Sequence, residues 1–230
     1  NLIEQEKDCC KKAKEILSYQ DLVFLDLPDE QLDRSQIDII IPLEEVVTRC
    51  KPEIVYAPHR GDLNQDHRAV FEAARVVCRP NAGHRVTTLR AFEVPSSTDQ
   101  VPEALEWPFL PNYYVNVKSS LEQKVEAMAC YSKESKPFPH PRSPEGLRVY
   151  AQKRGMEVGI EAAEAFAVLR DGWWEFVNIY SHSSHCSSPN GFFPPSRKDD
   201  DGFVWPSSFI LGVIKGKKNK IGGFYPSSYK

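Results

Sequence analysis

Apolar positions along residues 2–17 recur at the three- and four-residue spacing of a helix. Leu2, Ile3, Cys9, Cys10, Ala13, Ile16 and Leu17 share one face, with Lys and Glu between them. The pattern then changes to Leu22-Val23-Phe24-Leu25-Asp26-Leu27, a short, near-continuous apolar run suited to a buried strand and ended by Pro28-Asp29. Ser35 is placed to cap a helix running to about Cys50, with Pro42 expected to kink it or delay its start. Ile54-Val55-Tyr56-Ala57 is the next strand. A polar loop follows, Asp62-Leu63-Asn64-Gln65-Asp66-His67, and then a helical pattern through Ala69, Val70, Phe71, Ala73, Ala74, Val76 and Val77 to Cys78. Thr87–Val94 and Tyr113–Val117 read as two further strands, and Ser119 as the cap of a helix to Tyr131. Beyond a loop holding Pro137, Pro139, Pro141 and Pro144, a last helix is expected from about Glu145 to Phe166.

Helices alternating with short buried strands predict an α/β layered domain over residues 1–171, Rossmann-like, with a largely parallel sheet. The first element is a helix, whereas a doubly wound fold places a strand first and uses it at the middle of the sheet. The first strand is therefore expected to be missing. From Gly172 the composition shifts: Ser, Pro and Gly supply 22 of the remaining 59 residues, and 7 Lys+Arg stand against 4 Asp+Glu. Residues 172–230 read as an irregular tail, with short strands conceivable at Phe203–Trp205 and Phe209–Ile214 and with Trp173-Trp174 as a possible anchor on the core.

Charge removes some function classes. The net charge is −3, so no basic field points to nucleic acid or to an anionic membrane surface. The apolar runs are far too short to span a bilayer. No basic stretch followed by an apolar core opens the chain, so no secretory signal is visible, and the first residue is Asn, so a segment upstream is expected to be absent; a cytoplasmic location is expected from the cysteines. The 6 cysteines (Cys9, Cys10, Cys50, Cys78, Cys130, Cys186) form no C-x-x-C pair and suit reduced, mostly buried thiols. His84, His182 and His185 have no supporting pattern and are expected at the surface.

The chemistry concentrates in the Asp62–His67 loop, which the strand–loop–helix reading puts at the carboxyl end of a strand, where sites in open α/β sheets gather. His with nearby Asp suits Zn²⁺, which accepts imidazole nitrogen and carboxylate oxygen. His67 is the best metal ligand, with Asp66 beside it, Asp62 a turn earlier, and His59 just upstream. Asp62, Asn64 or Asp66 could equally cap the following helix, and the spacing alone leaves both readings open.

Several stretches together carry a family resemblance: Phe24-Leu25-Asp26-Leu27-Pro28-Asp29, the Gly61–His67 loop, Phe92-Glu93-Val94-Pro95-Ser96-Ser97-Thr98, and Lys124-Val125-Glu126-Ala127-Met128-Ala129-Cys130-Tyr131. Pro139-His140-Pro141-Arg142-Ser143, Arg154-Gly155 and Ala163-Glu164-Ala165-Phe166 follow in order. Residues 1–171 resemble the PIG-L/LmbE family of zinc-dependent N-deacetylases, which act on N-acetylglucosamine-type sugars; the tail does not. The resemblance implies a Rossmann-like sheet and a Zn²⁺ ion, and its second-motif histidine maps onto His67. The family's first motif, His-Pro-Asp-Asp-Glu, would bring two more ligands and the general base, and no His-Pro-Asp-Asp occurs in this sequence. Many relatives carry His at the position of Asn64, so its catalytic role passes in part to His59. Asp66 is expected to orient an imidazole from behind. Asp62, Arg142 and His140 are expected to line the pocket or contact the substrate, a small-molecule amino-sugar conjugate.

Three rivals remain: an N-deacetylase impaired by an incomplete site, a non-catalytic remnant of the same fold, and a nucleotide-binding Rossmann module. The third is disfavoured because neither G-x-G-x-x-G nor G-x-x-x-x-G-K-[ST] occurs. No G-x-S-x-G supports a serine hydrolase.

Overall fold

Successive residues of a strand face opposite ways, and the central strands exploit this fully. β2 (Ile54–Pro58) sends Val55 and Ala57 to one side of the sheet and Ile54 and Tyr56 to the other, and every one of its residues is buried. The computed structural model describes residues 2–84, 86–102, 107–172, 211–215 and 220–225. On one face α2 (Gln36–Cys50) and α3 (Gln65–Val77) pack over Val55, Ala57, Leu89 and Ala91. On the other lie α1 (Leu2–Leu17), α4 (Leu121–Ala129) and α5 (Pro144–Met156), where Cys10 and Ala13 meet Val125, Met128 and Leu147. The result is the expected α/β layering.

The sheet runs β1-β7-β6-β2-β3-β5-β4, with β1 at Asp21–Phe24, β3 at Thr88–Phe92, β4 at Tyr113–Asn116, β5 at Ala163–Asp171, β6 at Leu211–Lys215 and β7 at Lys220–Tyr225. It is mixed rather than largely parallel. β2 and β3 are parallel, joined by a crossover through α3, and β1 is parallel to β7; the pairs β2–β6, β3–β5, β4–β5 and β6–β7 are antiparallel. Two stretches of the tail read as irregular are thus strands between β1 and β2: β6 overlaps Phe209–Ile214, where a short strand was conceivable, and β7 lies where none was expected. Phe203–Trp205 and Trp173-Trp174 lie outside the described residues.

Other expectations are corrected by local physics. The last helix ends at Met156 rather than continuing to Phe166. Gly155 lies so close to the returning chain that a Cβ there would stand 2.4 Å from the Ile160 carbonyl oxygen, and Gly159 takes φ +77°. The chain reverses there, and Ala163–Phe166, apolar and rich in helix formers, pairs instead with β3 and β4. α2 runs unbroken through Pro42, with burial of Leu43, Val46 and Val47 opposing the lost backbone bond. His84 is not at the surface. It is 7% exposed, its Nε2 lying 2.6 Å from the Val77 carbonyl oxygen near the end of α3. Cys9, Cys10, Cys50, Cys78 and Cys130 are free thiols; Cys186, His182 and His185 lie outside the described residues. No helix among the described residues is long and apolar enough to cross a membrane.

Candidate functional site

The polar loop joins the carboxyl end of β2 to the amino end of α3, as the sequence pattern requires. Asn64 is the N-cap of α3: its Oδ1 accepts the Asp66 N–H at 2.8 Å and the His67 N–H at 3.4 Å. This is the capping role, and it commits the carboxamide oxygen to the backbone.

Asp62 is the hub. Its carboxylate is buried, and Oδ1 accepts the Asn64 N–H at 2.8 Å and the Ser97 hydroxyl, while Oδ2 accepts the Thr98 hydroxyl at 2.7 Å. His67 Nδ1 stands 3.1 Å from Oδ1, in a bent approach rather than along the N–H direction. Burial alone would push the Asp62 carboxyl up, but the His67 contact and the two hydroxyl donors outweigh it and hold the pKa below the ordinary carboxylate value. Arg68 adds a contact to the Asp62 carbonyl oxygen at 3.1 Å.

Asp66, expected to stand behind an imidazole, does something else. Its Oδ2 accepts the Glu30 N–H at 2.6 Å and its Oδ1 the Leu32 N–H at 3.0 Å. It therefore pins the loop after β1 to the start of α3, and Asp62 is the carboxylate that faces the His67 ring. Burial raises the Asp66 pKa, partly opposed by these two amides. The pinned loop carries Asp29, which sequence reasoning did not single out. Burial, then the nearby Asp66 and Glu30 carboxylates, push the Asp29 carboxyl up to about 6. Its position just past an apolar strand run was the available signal. Ser97 and Thr98 were also missed as site residues, although they fell inside a stretch that carried the resemblance.

His59 follows β2 directly. Its N–H donates to the Phe92 carbonyl and its Nδ1 accepts the Gly61 N–H at 3.0 Å, so in the neutral ring the proton sits on Nε2. Burial lowers its pKa, with Asp62 pulling the other way. Phe109 lies edge-on to the ring at 5.1 Å. Gly61 is required here, because a Cβ would come within 1.8 Å of the Trp107 carbonyl oxygen. Arg142 and His140 are tied to the same neighbourhood through the turn after β3. Arg142 Nε donates to the Pro95 carbonyl at 3.1 Å, its Nη1 pairs with Glu134, and its own N–H donates to His140 Nδ1 at 3.1 Å. Next to this turn a cleft is lined by Glu93, Lys124, Tyr150, Arg154 and Glu164, with its charges paired internally as Arg154–Glu93 and Lys124–Glu164.

Some of these donors have metal-binding chemistry. An imidazole whose Nδ1 faces a carboxylate is the chemistry of a zinc-ligating histidine. The Asp62 and Asp66 oxygens, however, are taken by hydroxyls and backbone amides, and among the described residues no three His, Cys, Asp or Glu side chains form a group able to hold a metal. The described residues include the His67 imidazole and do not make a complete site.

Comparisons agree with the fold and the local pattern. The family model described as "PIG-L: GlcNAc-PI de-N-acetylase" matches residues 1–78, which include β1, β2 and the Asp62–His67 loop. A deacetylase of Escherichia coli K12 described as uncharacterized, YaiS, is 29% identical over 114 residues, which is 47% of this chain and 54% of that protein. The chain thus spans about half the length of this curated relative. Among solved structures, the conserved protein TT1542 from Thermus thermophilus superposes with TM-score 0.59 at 20% identity, covering 78% of each chain. The N,N'-diacetylchitobiose deacetylase of Pyrococcus horikoshii, solved with an inhibitor, gives TM-score 0.56 at 17% identity over 73% of this chain and 64% of its own. In its sequence motifs, and in the fold that presents them, the chain resembles the PIG-L/LmbE deacetylases.

Proposed function

We propose that this protein is an N-deacetylase of the PIG-L type, hydrolysing the N-acetyl group of a small amino-sugar conjugate, with an incomplete site that leaves this chain inactive or impaired. The observation that carries the reading is the Asp62-faced His67 at the carboxyl end of β2, within a stretch matching the family model. Zn²⁺ is the proposed metal; when bound in a complete site it lowers the pKa of a coordinated water and polarises an amide carbonyl. His67 would be one of its ligands.

The chain's own residues do the holding. Asp62 faces the His67 ring, Asn64 caps the helix that carries it, and Asp66 fixes the loop bearing Asp29. Asp29, with a carboxyl titrating at about 6, is suited to exchange a proton or to bind a sugar hydroxyl near neutrality. His59 in its neutral form offers an Nε2–H donor. Arg142 and His140 stay in the proposal as substrate contacts, and a cytoplasmic location stays part of it. The second reading, a non-catalytic remnant, is favoured by one observation: the Asp62 and Asp66 carboxylates are already saturated by protein donors.

Elemental analysis of purified protein and of His67→Ala decides between them. About one zinc per chain, lost in the variant, together with acetate release from an N-acetylglucosamine conjugate, would show a working enzyme and refute the impairment. Zinc at the variant's background level with no acetate released supports an incomplete site.

A further inference from the structure

The hydrogen bonds around Asp62 have a direction. The Val94 N–H donates to Thr98 Oγ1 at 2.8 Å, which occupies that oxygen as an acceptor. The Thr98 hydroxyl proton is then free to point at Asp62 Oδ2, 2.7 Å away. On the other oxygen, the Asn64 N–H can only donate, at 2.8 Å, and the Ser97 hydroxyl closes on the same atom. Ser97 and Thr98 are held in the turn after β3: both N–H groups donate to the Val94 carbonyl, at 3.0 Å and 2.9 Å, and the Ser97 N–H also lies 2.9 Å from Asp99 Oδ1. Both residues are buried, and the Asp62 side chain is 0% exposed.

Every group converging on the carboxylate is thus a donor, and Asp62 is left as an acceptor at both oxygens. That constrains the ring beside it. His67 Nδ1 is 3.1 Å from Oδ1. At that distance a bare Nδ1, which carries negative partial charge, is repelled by the carboxylate oxygen, whereas a protonated Nδ1 is attracted to it even in the bent approach. We propose that Ser97 and Thr98 are positioning residues: through Asp62 they fix the neutral His67 ring as the Nδ1–H tautomer, leaving Nε2 as its lone-pair nitrogen. The polarity runs as one chain, from the Val94 amide through the Thr98 hydroxyl and the Asp62 carboxylate to the imidazole. The use of that lone pair rests on the deacetylase reading. The tautomer itself does not, because the hydrogen bonds that set it lie wholly within the described chain.

The test reads ring nitrogens directly. Long-range ¹H–¹⁵N correlation spectra of ¹⁵N-histidine-labelled protein at pH 8 give each imidazole's tautomer, with His67 assigned by its absence in His67→Gln. The wild-type ring is expected as Nδ1–H with a well-separated, unprotonated Nε2 signal. In Ser97→Ala/Thr98→Val the two nitrogen shifts should move toward each other as the tautomers mix, and Thr98→Ser, which keeps the hydroxyl, should restore the wild-type pattern. A wild-type Nε2–H tautomer overturns the proposal without recourse to any variant. An unchanged pattern in the double variant overturns the role of Ser97 and Thr98. Acetate release and zinc content are separate measurements, so their failure counts against the deacetylase reading and leaves the tautomer result standing.

Discussion

Asp29 should make the protein's stability fall as pH rises through the mildly acid range. Its carboxyl sits at about 6 against an ordinary 3.8, through burial and then the Asp66 and Glu30 carboxylates, with Glu134 adding a smaller push. Because folding raises this pKa, the folded chain between those values holds a proton that the unfolded chain has released. The contribution of Asp29 is therefore fully present below pH 3.8 and is lost as pH climbs through about 6. Two units correspond to about 3 kcal/mol at most. The side chain keeps some exposure to water, which screens the repulsion, so about 1–2 kcal/mol is the expected effect. Asp29→Asn removes the titration while keeping the shape. Urea unfolding of both proteins from pH 4 to pH 7.5 should show the variant gaining about 1–2 kcal/mol relative to wild type between the ends of the series. A constant offset from any lost hydrogen bond would not alter that slope. Parallel stability curves, or a wild type that gains on the variant as pH rises, would refute the reasoning.

Three further outcomes follow from single contacts. Asp66→Ala strips the Glu30 and Leu32 amides of their acceptor; a loss of about 2–4 kcal/mol is expected, with faster hydrogen exchange at those two amides, and unchanged exchange would count against the pin. Asp62→Ala leaves two hydroxyls, the Asn64 amide and the His67 ring facing a cavity, at a cost of about 3–5 kcal/mol by denaturant titration; a neutral result would mean the hub is dispensable. Gly61→Ala pushes a Cβ to 1.8 Å from a backbone oxygen that has to move, costing about 1–3 kcal/mol, and an unaltered melting temperature would show that the Trp107 segment yields freely.

The parts of the fold legible in the sequence were those with a local period. Leu2–Leu17, Ile54–Pro58 and Gln65–Val77 carry their helix or strand pattern in consecutive side chains; the first two lie where expected, and α3 begins at Gln65, inside the stretch read as loop, because Asn64 caps it there. Ala163–Phe166 was misassigned because Ala and Glu favour helices intrinsically, whereas the strand is imposed from outside by its ladders to β3 and β4. The site shows the same division. His67, Asn64 and Asp62 are neighbours in sequence and could be grouped by spacing. The partners Ser97 and Thr98 are 35 and 36 residues from Asp62, and Asp66 reaches back 36 residues to Glu30. No period along the chain encodes those pairings; the contacts to Ser97 and Thr98 follow from parallel β2 and β3 bringing their carboxyl ends together, and the contact to Glu30 from the loop after β1 meeting the start of α3.

The sheet order explains why Asp66 is needed where it stands. β1 and β2 are separated by β7 and β6, so three inter-strand steps, about 14 Å, lie between the strands that feed the two loops. Leu32 packs into the core with Ala69, Val70 and Ala73 of α3, and Gln65 Nε2 reaches the Glu30 carbonyl oxygen at 3.2 Å, so the 26–32 loop already leans toward that helix. Two short bonds from the Asp66 carboxylate add to that packing at the Glu30 and Leu32 amides, beside Asp29. Both readings of the protein turn on this arrangement. If zinc binds at His67, Asp66→Ala, a change one residue away in the first turn of α3, should weaken metal retention along with loop order. If zinc does not bind, the same substitution should change loop exchange and leave metal content at background. Measuring both on one variant separates a tether that serves a site from one that only serves the fold.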